Sequence, residues 1–185
     1  MDFYLTAHSL GWFAKMLVIR DLKLAVIIGL LFEFLEFLYE PWLPNFGECW
    51  WDHWVLDMFL CNGMGILMAY YFIRVFNLTL YDWTDDYEGS DKVTRRNHGI
   101  LVSHFIELLY WKKWRFYRWK MFTQFRWFIG AVLIAGFMLL LDLNNFFGKF
   151  IIWIPHDSPL LVLRATMWGV CSMEGTSRLF KVIVR

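Results

Sequence analysis

The chain has 185 residues, 59% of them hydrophobic and 21% aromatic, with 12 tryptophans and a net charge of +1. With a mean hydropathy of +0.43, it is more apolar than a soluble domain of this length, so composition predicts an all-α, polytopic membrane bundle forming one domain over 1–185. Near-neutral charge, with the basic residues clustered locally, excludes a nucleic-acid-binding role.

The opening Met1-Asp2-Phe3 lacks the basic region of a cleavable signal, so insertion falls to internal apolar segments. The first predicted span, roughly 22–39, carries Glu33 and Glu36 three residues apart on one helical face. Pro41 and Pro44 disfavour continuous helix, and residues 40–46 read as a tight re-entrant turn.

Next comes Pro44 to Asn62, PNFGECWWDHWVLDMFLCN, where Asn45, Glu48, Asp52, Asp57 and Asn62 lie among tryptophans and aliphatics. On helical spacing Glu48 and Asp52 share a face, Asp57 and Asn62 continue it approximately, and the turn folds that face back onto Glu33 and Glu36. Carboxylates crowded at low dielectric cannot all ionise without a compensating cation. No Lys or Arg falls between Lys23 and Arg74, so a bound metal is expected rather than a set of salt bridges. Oxygen-only donors of mixed flexibility favour Ca2+ over Mg2+ or Mn2+. Calcium takes ~6–8 oxygens, so not every candidate coordinates it directly.

Trp50, Trp51 and Trp54 read as an interfacial belt before they read as a cation–π cage. Gly63 and Gly65 suit close helix packing, within a second span over 54–76. A polar loop over 82–97 leads to the basic and aromatic run Trp111–Lys120, which reads as an interfacial helix. The positive-inside rule makes the loop 77–124 cytoplasmic and puts the acidic turn on the opposite side, with the sequon Asn77-Leu78-Thr79 as its test. A third span, 125–147, ends in Asp142-Leu-Asn144-Asn145, and a fourth, 150–172, is interrupted by Pro155, His156, Asp157 and Pro159. Cys49, Cys61 and Cys171 have no CxxC pairing and read as small buried residues.

Several of these motifs, Ala7-His8-Ser-Leu-Gly11-Trp12, Glu33-Phe-Leu-Glu36, Leu43-Pro-Asn-Phe-Gly-Glu-Cys-Trp-Trp-Asp52, Leu56-Asp57 and Leu60-Cys-Asn-Gly63, resemble the eukaryotic base-exchange phosphatidylserine synthases. The resemblance runs from about Ala7 to Phe180, with Asp142-Leu-Asn144-Asn145-Phe-Phe as a second strong stretch. It implies exchange of the choline or ethanolamine of phosphatidylcholine or phosphatidylethanolamine for L-serine. It also implies dependence on Ca2+, no nucleotide, an endoplasmic reticulum membrane location and a lumenal active site, with a homodimer left open. His8 falls on the family's catalytic histidine, with Asn45, Asp52 and Asn62 beside it as active-site residues. Glu33, Glu36, Glu48, Asp52 and Asp57 fall on its metal positions, and Arg95 and Arg178 on arginines associated with lipid binding and regulation.

Phosphodiester exchange suits these groups, because the phosphate needs charge neutralisation and the serine hydroxyl needs activation. His8 would act as general base or attack phosphorus to give a phosphatidyl-histidine, two routes the sequence leaves open. A solitary histidine near the start of a membrane protein is ordinarily a surface or packing residue; the motif is what moves His8 toward function. Family members are longer, so the chain also reads as a fragment or a divergent paralogue, and Asp142 stands where the family has glutamate. Glu174 is acidic where the family is not. The CDP-alcohol phosphotransferase signature is absent. A Ca2+-permeable channel or transporter subunit, or an inactive fragment, is the alternative reading.

Overall fold

The computed structural model describes residues 3–42, 49–84, 119–146 and 158–184. All regular elements among them are helical: α1 (Phe3–Ile19), α2 (Leu22–Tyr39), a π-helix (Asp52–Gly63), α3 (Met64–Val75), α4 (Lys120–Thr123), α5 (Phe125–Phe146) and α6 (Pro159–Val184). By length and composition, Trp54–Val75 and Phe125–Asn144 are apolar enough to cross a membrane.

The predicted span 22–39 corresponds to α2, and 125–147 to α5 within a residue. Two corrections concern the ends of the chain. Hydropathy did not pick out α1, because His8, Ser9, Gly11 and Lys15 dilute its apolar residues, yet α1 is central and packs against α2, the π-helix, α3 and α6. Of the predicted fourth span, 150–172, residues 150–157 lie outside the described residues; the rest falls in α6, which starts at Pro159, suited to a first helical position, and runs past 172 to Val184. The predicted re-entrant turn is described only at its start, where Trp42 N–H bonds the Tyr39 carbonyl; residues 43–48 lie outside the described residues. So does the interfacial run 111–120, apart from Trp119 and Lys120.

Two devices set α1 among its neighbours. At the first, Arg20 takes the left-handed conformation (φ 52°) and ends α1. A residue later, Asp21 caps α2 by accepting from the Leu24 N–H, while also accepting from the Thr84 N–H at 2.8 Å and the Thr84 hydroxyl. At the second, Gly65 of α3 lies against the backbone of α1. A Cβ there would strike the Ser9 carbonyl oxygen and come within 2.9 Å of Trp12 Cβ. Only a residue without a side chain permits that approach.

The core follows from these placements. Trp12, Met16 and Ile19 of α1 meet Leu24, Ala25, Ile28 and Phe32 of α2 and Ile66, Ala69 and Ile73 of α3. At the C-terminal end of α1, Trp83 donates its indole N–H to the Ile19 carbonyl and packs edge-on against Trp127 and Phe180. Large apolar side chains elsewhere face outward, among them Phe34, Phe37, Leu133, Leu140 and Val170. An outward apolar surface is what a bilayer requires of a helical bundle.

The two ends of the bundle differ in charge. Arg20, Lys23, Arg74, Lys120, Arg126 and Lys181 lie at or next to the helix termini around Trp83. Glu33, Glu36, Asp52, Asp57 and Asp142 lie toward the other end, with His8.

Candidate active site

The site is built on Asn62. Its side chain is fully buried and spans two elements that are 54 and 29 residues away in sequence. Its Nδ2 donates to Glu33 Oε1 of α2 at 2.7 Å, and its Oδ1 lies 2.6 Å from His8 Nε2 of α1. Glu33 is 1% exposed. With Glu33 Oε1 accepting from the amide nitrogen, the other end of the amide, Oδ1, is turned toward the imidazole. Since Oδ1 only accepts, His8 must carry its proton on Nε2. In the neutral ring, the lone pair is therefore on Nδ1.

The winding of 52–63 explains how three polar residues reach this end on one line. A π-helix bonds each residue to the one five further on, so residues five apart stack one above the other. Asp52, Asp57 and Asn62 are spaced by five. They form a stripe that goes from half-buried Asp52 through buried Asp57 to fully enclosed Asn62. On an α-helix the same spacing would spread them around the barrel of the helix. The approximate α-helical stripe expected from sequence is thus replaced by a better-aligned one.

Glu36 lies one turn beyond Glu33 on α2 and is half-buried. Cys61 is buried, shares a hydrogen bond with Ser9, and sits within electrostatic reach of Asp57 and Glu33. The three cysteines are free, but Cys49 and Cys171 are exposed, which corrects the expectation that all three are buried. Trp50, Trp51 and Trp54 are likewise exposed, as a belt would be.

A further pair went unseen in the sequence. Lys15 Nζ lies 2.7 Å from Asp142 Oδ1 and donates to Oδ2 at 2.8 Å, linking α1 to α5 across 127 residues. The same ammonium sits 4.0 Å from the Trp12 ring centre. Lys15 is seven residues from His8, two helical turns on the same face, and that spacing is the signal that could have revealed it. Asp142 is also within electrostatic reach of His8.

Of the remaining predicted site residues, Asn45, Glu48 and Arg95 lie outside the described residues. Arg178 is on the exposed surface of α6 and donates to Glu174 Oε1 at 2.7 Å, which holds that carboxyl below the usual range. The structure does not bring it to His8.

For a hard cation, the donor chemistry fits: Glu33, Glu36, Asp52 and Asp57 offer only oxygens, at or near a buried wall. The described residues do not complete a site by themselves, since no three His, Cys, Asp or Glu among them are grouped to hold a metal.

Comparison with known proteins agrees with this arrangement. The family model described as "Phosphatidyl serine synthase" matches residues 1–185. Human "Phosphatidylserine synthase 2" is 36% identical over 164 residues, covering 89% of this chain and 32% of its own length. The rice protein "CDP-diacylglycerol--serine O-phosphatidyltransferase 3" is 34% identical over 175 residues, covering 93% of this chain and 40% of its own length. The "Phosphatidylserine synthase" of Drosophila melanogaster is 29% identical over 172 residues. The chain thus spans between a third and two fifths of the length of these curated relatives. With the whole chain matched by that model, and the His8, Glu33 and Asn62 motifs meeting in one buried place, the chain belongs to the phosphatidyl serine synthase family.

Proposed function

We propose that this chain carries the reaction centre of a phospholipid base-exchange enzyme, replacing the choline or ethanolamine of a phospholipid with L-serine to form phosphatidylserine. The observation that carries the reading is the buried Glu33–Asn62–His8 chain of hydrogen bonds, in a family whose curated members are named for phosphatidylserine synthesis.

Asn62 and Glu33 hold the imidazole with its proton on Nε2, leaving Nδ1 as the reacting atom. As a base, Nδ1 takes the proton of the serine hydroxyl while that oxygen bonds phosphorus. The bond from phosphorus to the choline or ethanolamine oxygen breaks, and the same proton passes to the departing alcohol. As a nucleophile, Nδ1 bonds phosphorus as the bond to the choline or ethanolamine oxygen breaks and that alcohol leaves with a proton; the serine oxygen, giving up its own proton, then bonds phosphorus and releases Nδ1. Both routes use the same nitrogen and require the same tautomer.

Ca2+ is the proposed cofactor, held by Glu33, Glu36, Asp52 and Asp57, with Glu48 and Asn45 as further donors. Bound there, it would supply charge neutralisation at the phosphate oxygens. The carboxylates not engaged by it suit the ammonium of serine. An endoplasmic reticulum membrane is the location proposed with this reading, and the separation of acidic and basic ends supports an orientation with His8 on the non-cytoplasmic side.

The plant relatives' printed names specify CDP-diacylglycerol as donor, a second reading that the same assay separates. Membranes containing this chain are given labelled serine with Ca2+ or with chelator, and with or without added CDP-diacylglycerol. Exchange predicts labelled phosphatidylserine without the nucleotide, lost with chelator and lost in His8→Ala. Label that appears only with CDP-diacylglycerol overturns exchange in favour of the second reading, and label undiminished in His8→Ala removes the histidine from the chemistry.

A further inference from the structure

Between α1, α5 and α6 runs a cleft of about 140 Å3, lined by Gly11, Lys15, Met138, Asp142, Arg164 and Trp168 among others. Most of its wall is apolar. Its charged groups do not cancel, because Lys15 and Asp142 neutralise each other at 2.7 Å while Arg164 has no carboxylate partner among the described residues. Arg164 instead donates Nη2–H to the Asn144 carbonyl at 3.2 Å, a neutral acceptor, so its charge is not compensated among the described residues.

An arginine facing an apolar cleft in a membrane protein is costly unless an anion meets it. Its planar fork matches phosphate geometry. The apolar wall beyond it, with Val18, Met138 and Trp168, suits the first methylenes of an acyl chain. One end of the cleft lies on the face of α1 that also carries His8, since His8, Gly11 and Lys15 follow one another at three and four residues. A group bound at Arg164 is therefore at the reaction end of the bundle, not at the basic end.

We infer that this cleft binds the donor phospholipid, with its phosphodiester on the Arg164 guanidinium and an acyl chain along Val18, Met138 and Trp168. This inference rests on the base-exchange reading for the identity of the lipid as donor. It does not rest on that reading for the binding itself, which needs neither serine nor turnover.

The test uses the full chain in nanodiscs carrying a phosphatidylcholine with a photoactivatable acyl chain, and in parallel a diacylglycerol with the same chain but no phosphate. Cross-links are mapped by mass spectrometry. The phosphatidylcholine probe is expected to label the α5 and α6 peptides containing Met138 and Trp168. In Arg164→Gln that labelling falls about tenfold, the scale of one charge-assisted hydrogen bond, and Arg164→Lys recovers part of it. Diacylglycerol labelling is expected to be the same in the wild type and Arg164→Gln. In Gly11→Leu, labelling by both probes falls, because a Cβ on Gly11 meets nothing within 4 Å and the added side chain enters the cleft.

Equal phosphatidylcholine labelling in Arg164→Gln, or none on α5 and α6, overturns the inference. Arg164-dependent labelling in a protein that incorporates no serine keeps the lipid site and removes the exchange reading. Serine incorporation with Arg164-independent labelling does the reverse.

Discussion

Asn62 is worth more to this molecule than either of its partners, because it satisfies both. Replacing it with leucine keeps the volume but leaves the Glu33 carboxylate and His8 Nε2–H facing a hydrocarbon side chain. Loss of two buried polar contacts predicts a stability decrease of about 2–3 kcal/mol. His8→Ala removes one contact and a half-buried ring, so its melting temperature should fall less. Serine incorporation, in contrast, should fall to the same floor in both variants. An Asn62→Leu protein that keeps its activity would show that the amide does not set the histidine's tautomer. Lys15 and Asp142 present another residue-scale balance: the pair is largely buried, so its attraction is offset by desolvation, and its clearest effect is to hold α1 at a fixed height against α5.

The helices show what could and could not be seen in the sequence. The ends of α2 were legible because the apolar run is bounded and Pro41 and Pro44 follow it, both local signals; the Asp21 cap came only with the structure. Carboxylates in an apolar run were legible as a site for the same reason: their cost is evident without any partner. The π-helix was not, since a five-residue stripe looks irregular to a reader expecting a period of 3.6. The Asn62–His8 and Lys15–Asp142 contacts span 54 and 127 residues, and no local pattern predicts which buried polar group meets which. α1 escaped because hydropathy scores a helix by average, while His8, Gly11 and Lys15 line one working face. Gly65 offers a direct element-scale test. Gly65→Ala sets a methyl group against the Ser9 carbonyl, so α1 must shift away from α3, and both melting temperature and serine incorporation should drop together. Gly136→Ala on α5 meets nothing within 4 Å and should leave both unchanged or raise stability by up to about 1 kcal/mol. Equal effects of the two substitutions would refute the close approach.

For the molecule as a whole, the separation of charge makes a statement about direction in the membrane. Asn77, with φ 49°, follows Arg74 at the end that also carries Arg20 and Lys23, and Arg20 Nη1 donates to the Thr79 carbonyl of the same sequon. If the basic end is cytoplasmic, Asn77 is never glycosylated, and treatment of the expressed protein with an endoglycosidase should give no mobility shift. A shift would place that end in the lumen and His8 in the cytosol. The meeting of α1 and α3 at Gly65 has one more consequence, for traffic. Two backbones in contact have no side chain between them to swing aside, so that flank of α1 is a welded seam. The opposite flank meets α5 through the Lys15–Asp142 ion pair, touches α6, and is bordered by a cleft. A molecule too greasy to arrive through water has a doorway there and a wall on the other side, so lipid should enter sideways from the bilayer, while a water-soluble alcohol comes and goes along the acidic end.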